Sequence, residues 1–199
     1  MISAFIAGAT KFIAGANARW MGCLPEAKQR IYFANHTSHL DAVVVWATFP
    51  SDIRQRIHPV AAQDYWTKSS LRLYLARRVF QAILIERQNV STRNNPLETL
   101  LHALEGGASL IIFPEGTRGN GLDVQPFKSG LYHIARQRPD LELVPVHIDN
   151  MNRVLPKGEI LPVPLLSCIT FGSPIHLEHE SKMEFLERAR KALADLKHT

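Results

Sequence analysis

Cysteine is scarce in this chain of 199 residues, and its two cysteines, Cys23 and Cys168, lie far apart. The sequence has no Cys-x-x-Cys pair and no Cys/His spacing of the kind that forms a zinc ligand set. Neither a disulfide framework nor a zinc site is therefore indicated. Cysteine usage of this kind fits a reducing, cytosolic-facing compartment.

The sequence also lacks a polybasic arm and any apolar run long enough to cross a membrane. Its net charge of +5 and pI near 9.4 suggest an anionic partner, such as nucleic acid, a membrane surface or a phosphorylated metabolite. The basic residues are scattered singly or in pairs such as Arg77-Arg78, and no nucleic-acid-binding signature is visible. Nucleic acid is therefore not expected as a partner.

Residues Met1 to Trp20 carry only two charged side chains, Lys11 and Arg19, and have no basic region typical of a secretory signal. Apolar side chains recur there at helical spacing. They are Ile2, Phe5, Ile6, Ala9, Phe12, Ile13 and Ala16. The pattern predicts an N-terminal amphipathic helix, which lies in a membrane interface or packs as an ordinary helix on the domain.

Without internal repeats or low-complexity linkers, residues 1–199 are expected to form a single domain. Short apolar runs bounded by turn residues predict strands. These are Ile31–Ala34, Ala82–Ile85, Ser109–Phe113, Glu142–His147 and Ser167–Phe171. The predicted helices are Leu40–Thr48, Thr67–Arg78, Pro96–Leu104, Gly130–Gln137 and Lys182–Lys197. Their alternation indicates an α/β fold with a mostly parallel central sheet flanked by helices, and functional groups at the carboxyl ends of its strands.

The first predicted strand runs directly into Asn35-His36-Thr37-Ser38-His39-Leu40-Asp41. With Ser38 as helix N-cap, Asp41 takes the third helical position and its carboxylate can reach back to His36. An aspartate bound to one imidazole nitrogen leaves the other nitrogen free to take a proton from a hydroxyl. The motif therefore predicts a general-base dyad.

Two other interpretations of the same residues stay open. A capping box formed by Ser38 and Asp41 would make His36 and His39 ordinary polar loop residues. A metal site built from the two histidines and the aspartate is less favoured, because no second cluster of ligands accompanies them.

A second predicted strand ends in Pro114-Glu115-Gly116-Thr117-Arg118-Gly119. Gly116 and Gly119 allow unusual backbone angles, so successive amides could point together at a phosphate, and Arg118 adds a bidentate cationic donor. For the hexapeptide taken alone, a solvated turn whose glycines serve only the backbone geometry is slightly favoured over a phosphate site.

The pair Asn35-His36-x-x-x-x-Asp41 and Phe113-Pro114-Glu115-Gly116-Thr117-Arg118 resembles the glycerol-phosphate and lysophosphatidic acid acyltransferase family. Further segments resemble other blocks of that family. They are Phe80–Arg87, Leu143–Val146, Phe127–Gly130 and Phe171–Ile175. One departure is Glu86, which stands before Arg87 where an aspartate or an asparagine-like residue is more usual.

The resemblance implies transfer of an acyl group from acyl-CoA or acyl-carrier protein to a lysophospholipid hydroxyl, without a covalent acyl-enzyme, a metal or another cofactor. It assigns catalysis to His36 and Asp41. It assigns acceptor binding to Arg87, Glu115, Gly116, Thr117 and Arg118. The preferred acceptor is 1-acyl-glycerol-3-phosphate, which would give phosphatidic acid at the cytoplasmic face of a membrane, with peripheral or monotopic attachment.

Alternative functions share the same motifs. The acceptor could be glycerol-3-phosphate or another lysophospholipid, and a thioesterase would use water in place of the acceptor hydroxyl. A noncatalytic lipid-binding module is less favoured, because His36, Asp41, Glu115 and Arg118 are all present.

Overall fold

The computed structural model describes residues 8, 10, 17–87, 95–121, 123–149 and 167–198. Seven strands in these ranges form one sheet in the order β1-β7-β6-β2-β5-β3-β4. Neighbouring strands are parallel except β6 and β7, which are antiparallel. The strands are β1 (Asn17–Trp20), β2 (Arg30–Ala34), β3 (Ile57–Ala62), β4 (Ile83–Ile85), β5 (Ser109–Ile112), β6 (Glu142–Ile148) and β7 (Cys168–Phe171). The predicted mostly parallel α/β fold is confirmed.

Helices connect and flank these strands. They are α1 (Asp41–Thr48), α2 (Ser51–Arg54), α3 (Gln63–Trp66), α4 (Ser70–Tyr74), a π-helix (Leu75–Val79), α5 (Pro96–Glu105), α6 (Gly130–Gln137), α7 (Lys182–Asp195) and a final 3₁₀ turn (Leu196–His198). Each of the five predicted helices has a counterpart among them, but the one predicted over Thr67–Arg78 is shorter and ends in the π-helix. None of the described helices is both long and apolar enough to cross a membrane.

The helix predicted over Met1–Trp20 is wrong at its carboxyl end. Asn17–Trp20 is strand β1, which pairs in parallel with β7. The Trp20 ring stacks on Phe171 with ring centroids 3.8 Å apart, and this distant partner overrides the local helical spacing. Of residues 1–16 only Gly8 and Thr10 are described, both as helical, so the rest of that prediction lies outside the described residues.

Alternate side chains of the central strands build two hydrophobic clusters, one on each face of the sheet. In β2, Tyr32 and Ala34 belong to the cluster under α1, whereas Ile31 and Phe33 belong to the cluster under α5, α6 and α7. Both faces are therefore covered, as expected for a parallel sheet.

Four neighbouring parallel strands, in the order β2-β5-β3-β4, direct their carboxyl ends to the same edge of the sheet. The two predicted motifs follow β2 and β5. The segment after β3 becomes α3, and Arg87 follows β4. Strand order thus brings together four loops that are distant in sequence.

Candidate active site

His36 and Asp41 form the predicted pair. The imidazole Nδ1 of His36 lies 2.9 Å from Oδ2 of Asp41. The Asp41 side chain is fully buried, whereas 23% of the His36 side chain is exposed. Because a carboxylate oxygen accepts, the bond holds the imidazole proton on Nδ1 and leaves Nε2 as the nitrogen able to take a proton from a substrate.

Oδ2 of Asp41 also accepts the backbone N–H groups of Thr37 at 2.6 Å and Ser38 at 2.8 Å. These bonds fold the loop around the carboxylate and fix its direction. Oδ1 of Asp41 is buried and has no hydrogen-bond partner among the described residues. Oδ2 is therefore the atom through which Asp41 orients the imidazole.

The predicted N-cap at Ser38 is wrong. Helix α1 begins at Asp41 with Leu40 at the cap position, and the Ser38 hydroxyl accepts from the Leu40 amide at 3.3 Å. The reverse bond, from the Ser38 amide to the Asp41 carboxylate, is present. The carboxylate reaches back as expected, but it does so from the first helical residue, because α1 begins two residues later than a capping box at Ser38 would place it.

The second motif binds the backbone of His36 on both sides. Oε1 of Glu115 accepts the His36 amide at 2.6 Å, and the Gly119 amide donates to the His36 carbonyl at 2.8 Å. The His36 ring also stacks on Phe113, with centroids 4.4 Å apart. The histidine is thereby positioned by β5 and its loop as well as by Asp41.

Glu115 is only 5% exposed, and its carboxylate points into the protein. Its second oxygen, Oε2, accepts a hydrogen bond from the backbone N–H of Gln125 at 2.9 Å. Burial raises the pKa of Glu115, and the two backbone donors partly oppose that shift. The family resemblance assigns substrate binding to Glu115, but both of its carboxylate oxygens accept from backbone amides.

Gly116 occupies the left-handed region with φ of 72°, as its predicted role in the turn requires. A Cβ atom there would lie 2.7 Å from Cε of Lys128, so the lysine side chain passes closely over this glycine. The Gly116 amide donates to the Phe113 carbonyl at 3.0 Å, which closes the turn instead of presenting that amide to a ligand. Gly119 does not have a positive φ.

Arg87 reaches the same turn from the end of β4. Its Nη1 donates to the Gly116 carbonyl at 3.2 Å, and Nη2 lies 3.4 Å from Oδ1 of Asp64. Its side chain is 43% exposed, so the guanidinium remains accessible to a ligand. Thr117 is exposed and Arg118 half-buried in that turn.

His39 does not join the dyad as a metal ligand. Its ring stacks on the ring of Tyr65 in α3, with centroids 4.8 Å apart. The Arg72 guanidinium lies 4.6 Å from the centroid of the same Tyr65 ring. Partial burial, together with the nearby cations Arg118 and Arg72, lowers the pKa of His39. In the described ranges no three His, Cys, Asp or Glu side chains are grouped as a metal site would require.

Several residues of the site were not identified from the sequence. Lys128 lies in a segment noted only for its family resemblance. Asp64 and Tyr65 belong to α3, a helix of four residues without a periodic pattern. The Asn35 side chain holds the end of β6 in place: its Nδ2 donates to the Ile148 carbonyl, and its Oδ1 accepts from the Ile148 backbone N–H. Only the position of Asn35, directly before His36, could have suggested a structural role.

The site combines a base, a carboxylate that orients it, and nearby cations. Such a site can deprotonate the hydroxyl of a substrate that also carries an anionic group. The imidazole supplies the proton acceptor, while Arg87 and Arg118 supply charge for a phosphate. This combination suits transfer of a group to an alcohol carrying a phosphate.

Comparison with known proteins identifies the family of the chain. The family model described as acyltransferase matches residues 20–149. The 1-acyl-sn-glycerol-3-phosphate acyltransferase of Saccharomyces cerevisiae is 30% identical over 182 residues, covering 84% of this chain and 55% of the relative. The enzyme of that name from Limnanthes douglasii is 29% identical over 163 residues, covering 80% and 56%.

Among solved structures, the crystal structure of the 1-acyl-sn-glycerophosphate (LPA) acyltransferase PlsC from Thermotoga maritima has the same fold, with a TM-score of 0.73 at 20% identity. The match covers 100% of this chain and 79% of that chain. The chain spans about half the length of the curated relatives it matches. By its family-model match and its paired motifs, the chain belongs to the acyltransferase family.

Proposed function

We propose that this protein transfers a fatty acyl group from an acyl-CoA or acyl-carrier-protein thioester to the free hydroxyl of 1-acyl-glycerol-3-phosphate, giving phosphatidic acid. The observation that carries the proposal is the His36–Asp41 bond of 2.9 Å, with the histidine backbone held by Glu115 and Gly119. The matched relatives from Limnanthes douglasii and Saccharomyces cerevisiae are 1-acyl-sn-glycerol-3-phosphate acyltransferases, which supports the choice of acceptor.

In the proposed reaction, Nε2 of His36 takes the proton of the acceptor hydroxyl as its oxygen attacks the thioester carbonyl carbon. The tetrahedral intermediate then collapses, the carbon–sulfur bond breaks, and the departing thiolate receives the proton from the imidazolium. Asp41 stabilises that imidazolium and keeps the ring in one tautomer. A thioester is already activated, so the steps as written need no metal and no organic cofactor.

Positioning of the acceptor falls to cations at the same edge of the sheet. Arg87 and Arg118 bind the phosphate, and the turn containing Gly116 and Thr117 lines its position. Lys128 adds a further positive charge, because its side chain lies against Gly116. Binding the phosphate there delivers the hydroxyl to His36 and replaces a bimolecular encounter by an oriented one.

The acceptor and the product are membrane lipids, and we therefore place the protein on the cytoplasmic face of a membrane as a peripheral or monotopic protein. Residues 1–16 are one candidate attachment segment because of their apolar spacing and Lys11. A chain lacking residues 1–16 should bind liposomes less tightly and with a smaller salt dependence. Unchanged binding would refute that role.

The decisive test is a product analysis. Purified protein is incubated with labelled acyl-CoA or acyl-carrier protein and a panel of acceptors: lysophosphatidic acid, glycerol-3-phosphate and lysophospholipids with larger headgroups. Phosphatidic acid formed from lysophosphatidic acid supports the proposal, and preference for another acceptor would redirect it. Free fatty acid released irrespective of acceptor would identify a thioesterase instead.

His36→Ala should abolish transfer while the protein remains folded, because His36 lies in a loop and not in the core. His102→Ala is a matched control, since the His102 side chain is 92% exposed on α5. Retained turnover in folded His36→Ala would eliminate the mechanism.

A further inference from the structure

Helix α4 and the π-helix that continues it have an outer face with an unusual composition. Ala76 and Val79 are buried, Val79 within the hydrophobic cluster under α1, whereas Leu71 and Tyr74 are 66% and 48% exposed. The inner side of this segment is therefore satisfied by the core. Its outer side exposes two large apolar side chains where polar ones are normal.

Positive charge surrounds these two side chains. Residues 67–81 contain four basic residues and no acidic residue. Lys68, Arg77 and Arg78 are exposed, and none of them forms an ion pair with a described acidic side chain. We define the basic–apolar face as Lys68, Leu71, Tyr74, Arg77 and Arg78.

The basic–apolar face lies beside the candidate active site. Arg72, in the same helix, packs 4.6 Å from the Tyr65 ring centroid, and Tyr65 stacks on His39 at 4.8 Å. His39 is three residues from His36 in the loop that follows β2. This series of contacts ties the basic–apolar face to the edge of the sheet at which the catalytic loops meet.

We infer that the basic–apolar face docks on the surface of an anionic lipid bilayer. Leu71 and Tyr74 would enter the interfacial region, where an aliphatic chain and an amphipathic aromatic ring are both favourable, and the three cations would meet anionic headgroups. The inference rests on the proposed function for its purpose, because docking there brings His36 next to the surface that holds a lipid acceptor.

Another pair of exposed apolar side chains, Met21 and Leu24, does not share these properties. The Leu24 carbonyl accepts from Arg30 at the start of β2, which is the opposite edge of the sheet. The nearby Lys28 is paired with Glu142. Leu24 therefore provides a matched control: an apolar side chain as exposed as Leu71 but remote from the site.

The test measures, by flotation, binding of the full chain to vesicles of phosphatidylcholine that contain an increasing fraction of phosphatidylglycerol. Binding should rise with the anionic fraction. Arg77→Gln with Arg78→Gln should weaken it about 30-fold, at about fivefold for each cation near the surface. Leu71→Ser should weaken it about tenfold, the factor for removing a buried leucine side chain. Leu24→Ser should leave it unchanged, and so should Arg136→Gln, which removes an exposed cation from α6.

Activity assays separate this inference from the proposed function. Variants of the basic–apolar face should lose transfer to lysophosphatidic acid embedded in anionic vesicles, but keep transfer to a short-chain lysophosphatidic acid dissolved as monomer. If the unsubstituted protein transferred no acyl group to either acceptor, but vesicle binding still depended on anionic lipid and on the basic–apolar face, only the proposed function would be overturned.

Three results would overturn the inference itself. The first is equal vesicle binding by the face variants and the controls. The second is binding that does not depend on anionic lipid. The third is a concentration-dependent dimer in sedimentation that Leu71→Ser dissociates, which would assign the face to self-association.

Discussion

Replacing Glu115 by glutamine should slow catalysis through the backbone of His36. In the structure, Oε1 of Glu115 accepts a hydrogen bond from the backbone N–H of His36 at 2.6 Å, and Oε2 accepts one from the backbone N–H of Gln125 at 2.9 Å. Glutamine has one acceptor oxygen, so its NH₂ group must face one of these two amides, donor against donor. Either the loop after β2 or the segment around Gln125 then has to shift.

The expected cost in stability is modest. A hydrogen bond to a charged acceptor contributes about 1.5–3 kcal/mol, and one such bond is lost. Burial raises the pKa of Glu115, which means that the carboxylate is poorly solvated and that a neutral amide avoids part of this desolvation. A net loss of about 1–2 kcal/mol corresponds to a decrease of about 2–8 °C in Tm, which leaves the protein folded at 25 °C.

The kinetic effect should be larger than the stability effect. A displacement of a catalytic group by about 1 Å can reduce the rate about 100-fold. We expect kcat of Glu115→Gln to fall about 10- to 100-fold while KM for the acceptor changes little, because the carboxylate is bonded to backbone and not aimed at a ligand.

Steady-state kinetics with varied lysophosphatidic acid, combined with thermal melts, measures both quantities. Glu98→Gln is a suitable control, since Glu98 is exposed on α5. A rise in acceptor KM at unchanged kcat would refute the positioning role and restore the substrate-binding role that the sequence suggests for Glu115.

Three further perturbations test other parts of the site and fold. Asp41→Asn should reduce kcat about a thousandfold with little change in KM, since the amide cannot hold the proton on Nδ1 of His36; equal turnover would exclude Asp41 as the orienting group. Arg87→Ala or Arg118→Ala should raise acceptor KM about tenfold, and an unaltered KM would argue against a phosphate contact. Burial favours a higher pKa for Glu142, but hydrogen bonds from neighbouring cations outweigh it and lower that pKa. Its stabilisation is thus present above pH 4.5 and lost as the pH falls through the lowered value. Glu142→Gln should decrease Tm by about 2–8 °C at pH 7, and the decrease should become smaller as the pH falls below 4.5; a difference that stays constant as the solution is acidified would contradict the ion pair.

The strands that the sequence predicted are those in which burial on both faces leaves a dense apolar run, such as β2 and β5. Strand β3 was not predicted, because Pro59 and the pair Ala61-Ala62 give little β propensity. The structure accommodates Pro59 where β3 changes partners: residues up to Pro59 pair with β5, and Val60 onward pairs with β4. Such an arrangement depends on strands distant in sequence and leaves no local signal.

The residues of the candidate site were more predictable from the sequence than the directions in which their side chains point. His36 and Asp41 were recognisable because their motif and the Phe113–Arg118 motif together resemble an acyltransferase family, whereas the residues around His36 alone left a capping box open. The inward orientation of Glu115 was not, since it depends on the amides of two segments that approach only in the folded sheet. Strand β1 was predicted as helix for a similar reason: its partner is more than a hundred residues away.

The attachment of the His36 backbone to the loop after β5 also bears on how this chain can change in evolution. Glu115 and Gly119 contact His36 because β2 and β5 are neighbours, and not because of the length of chain between them. Insertions or deletions between α1 and α5 can therefore alter the walls that face the substrate without moving the base. By contrast, a graft of either motif alone into another scaffold would leave its histidine or its glutamate without a partner, so the two motifs have to be inherited together.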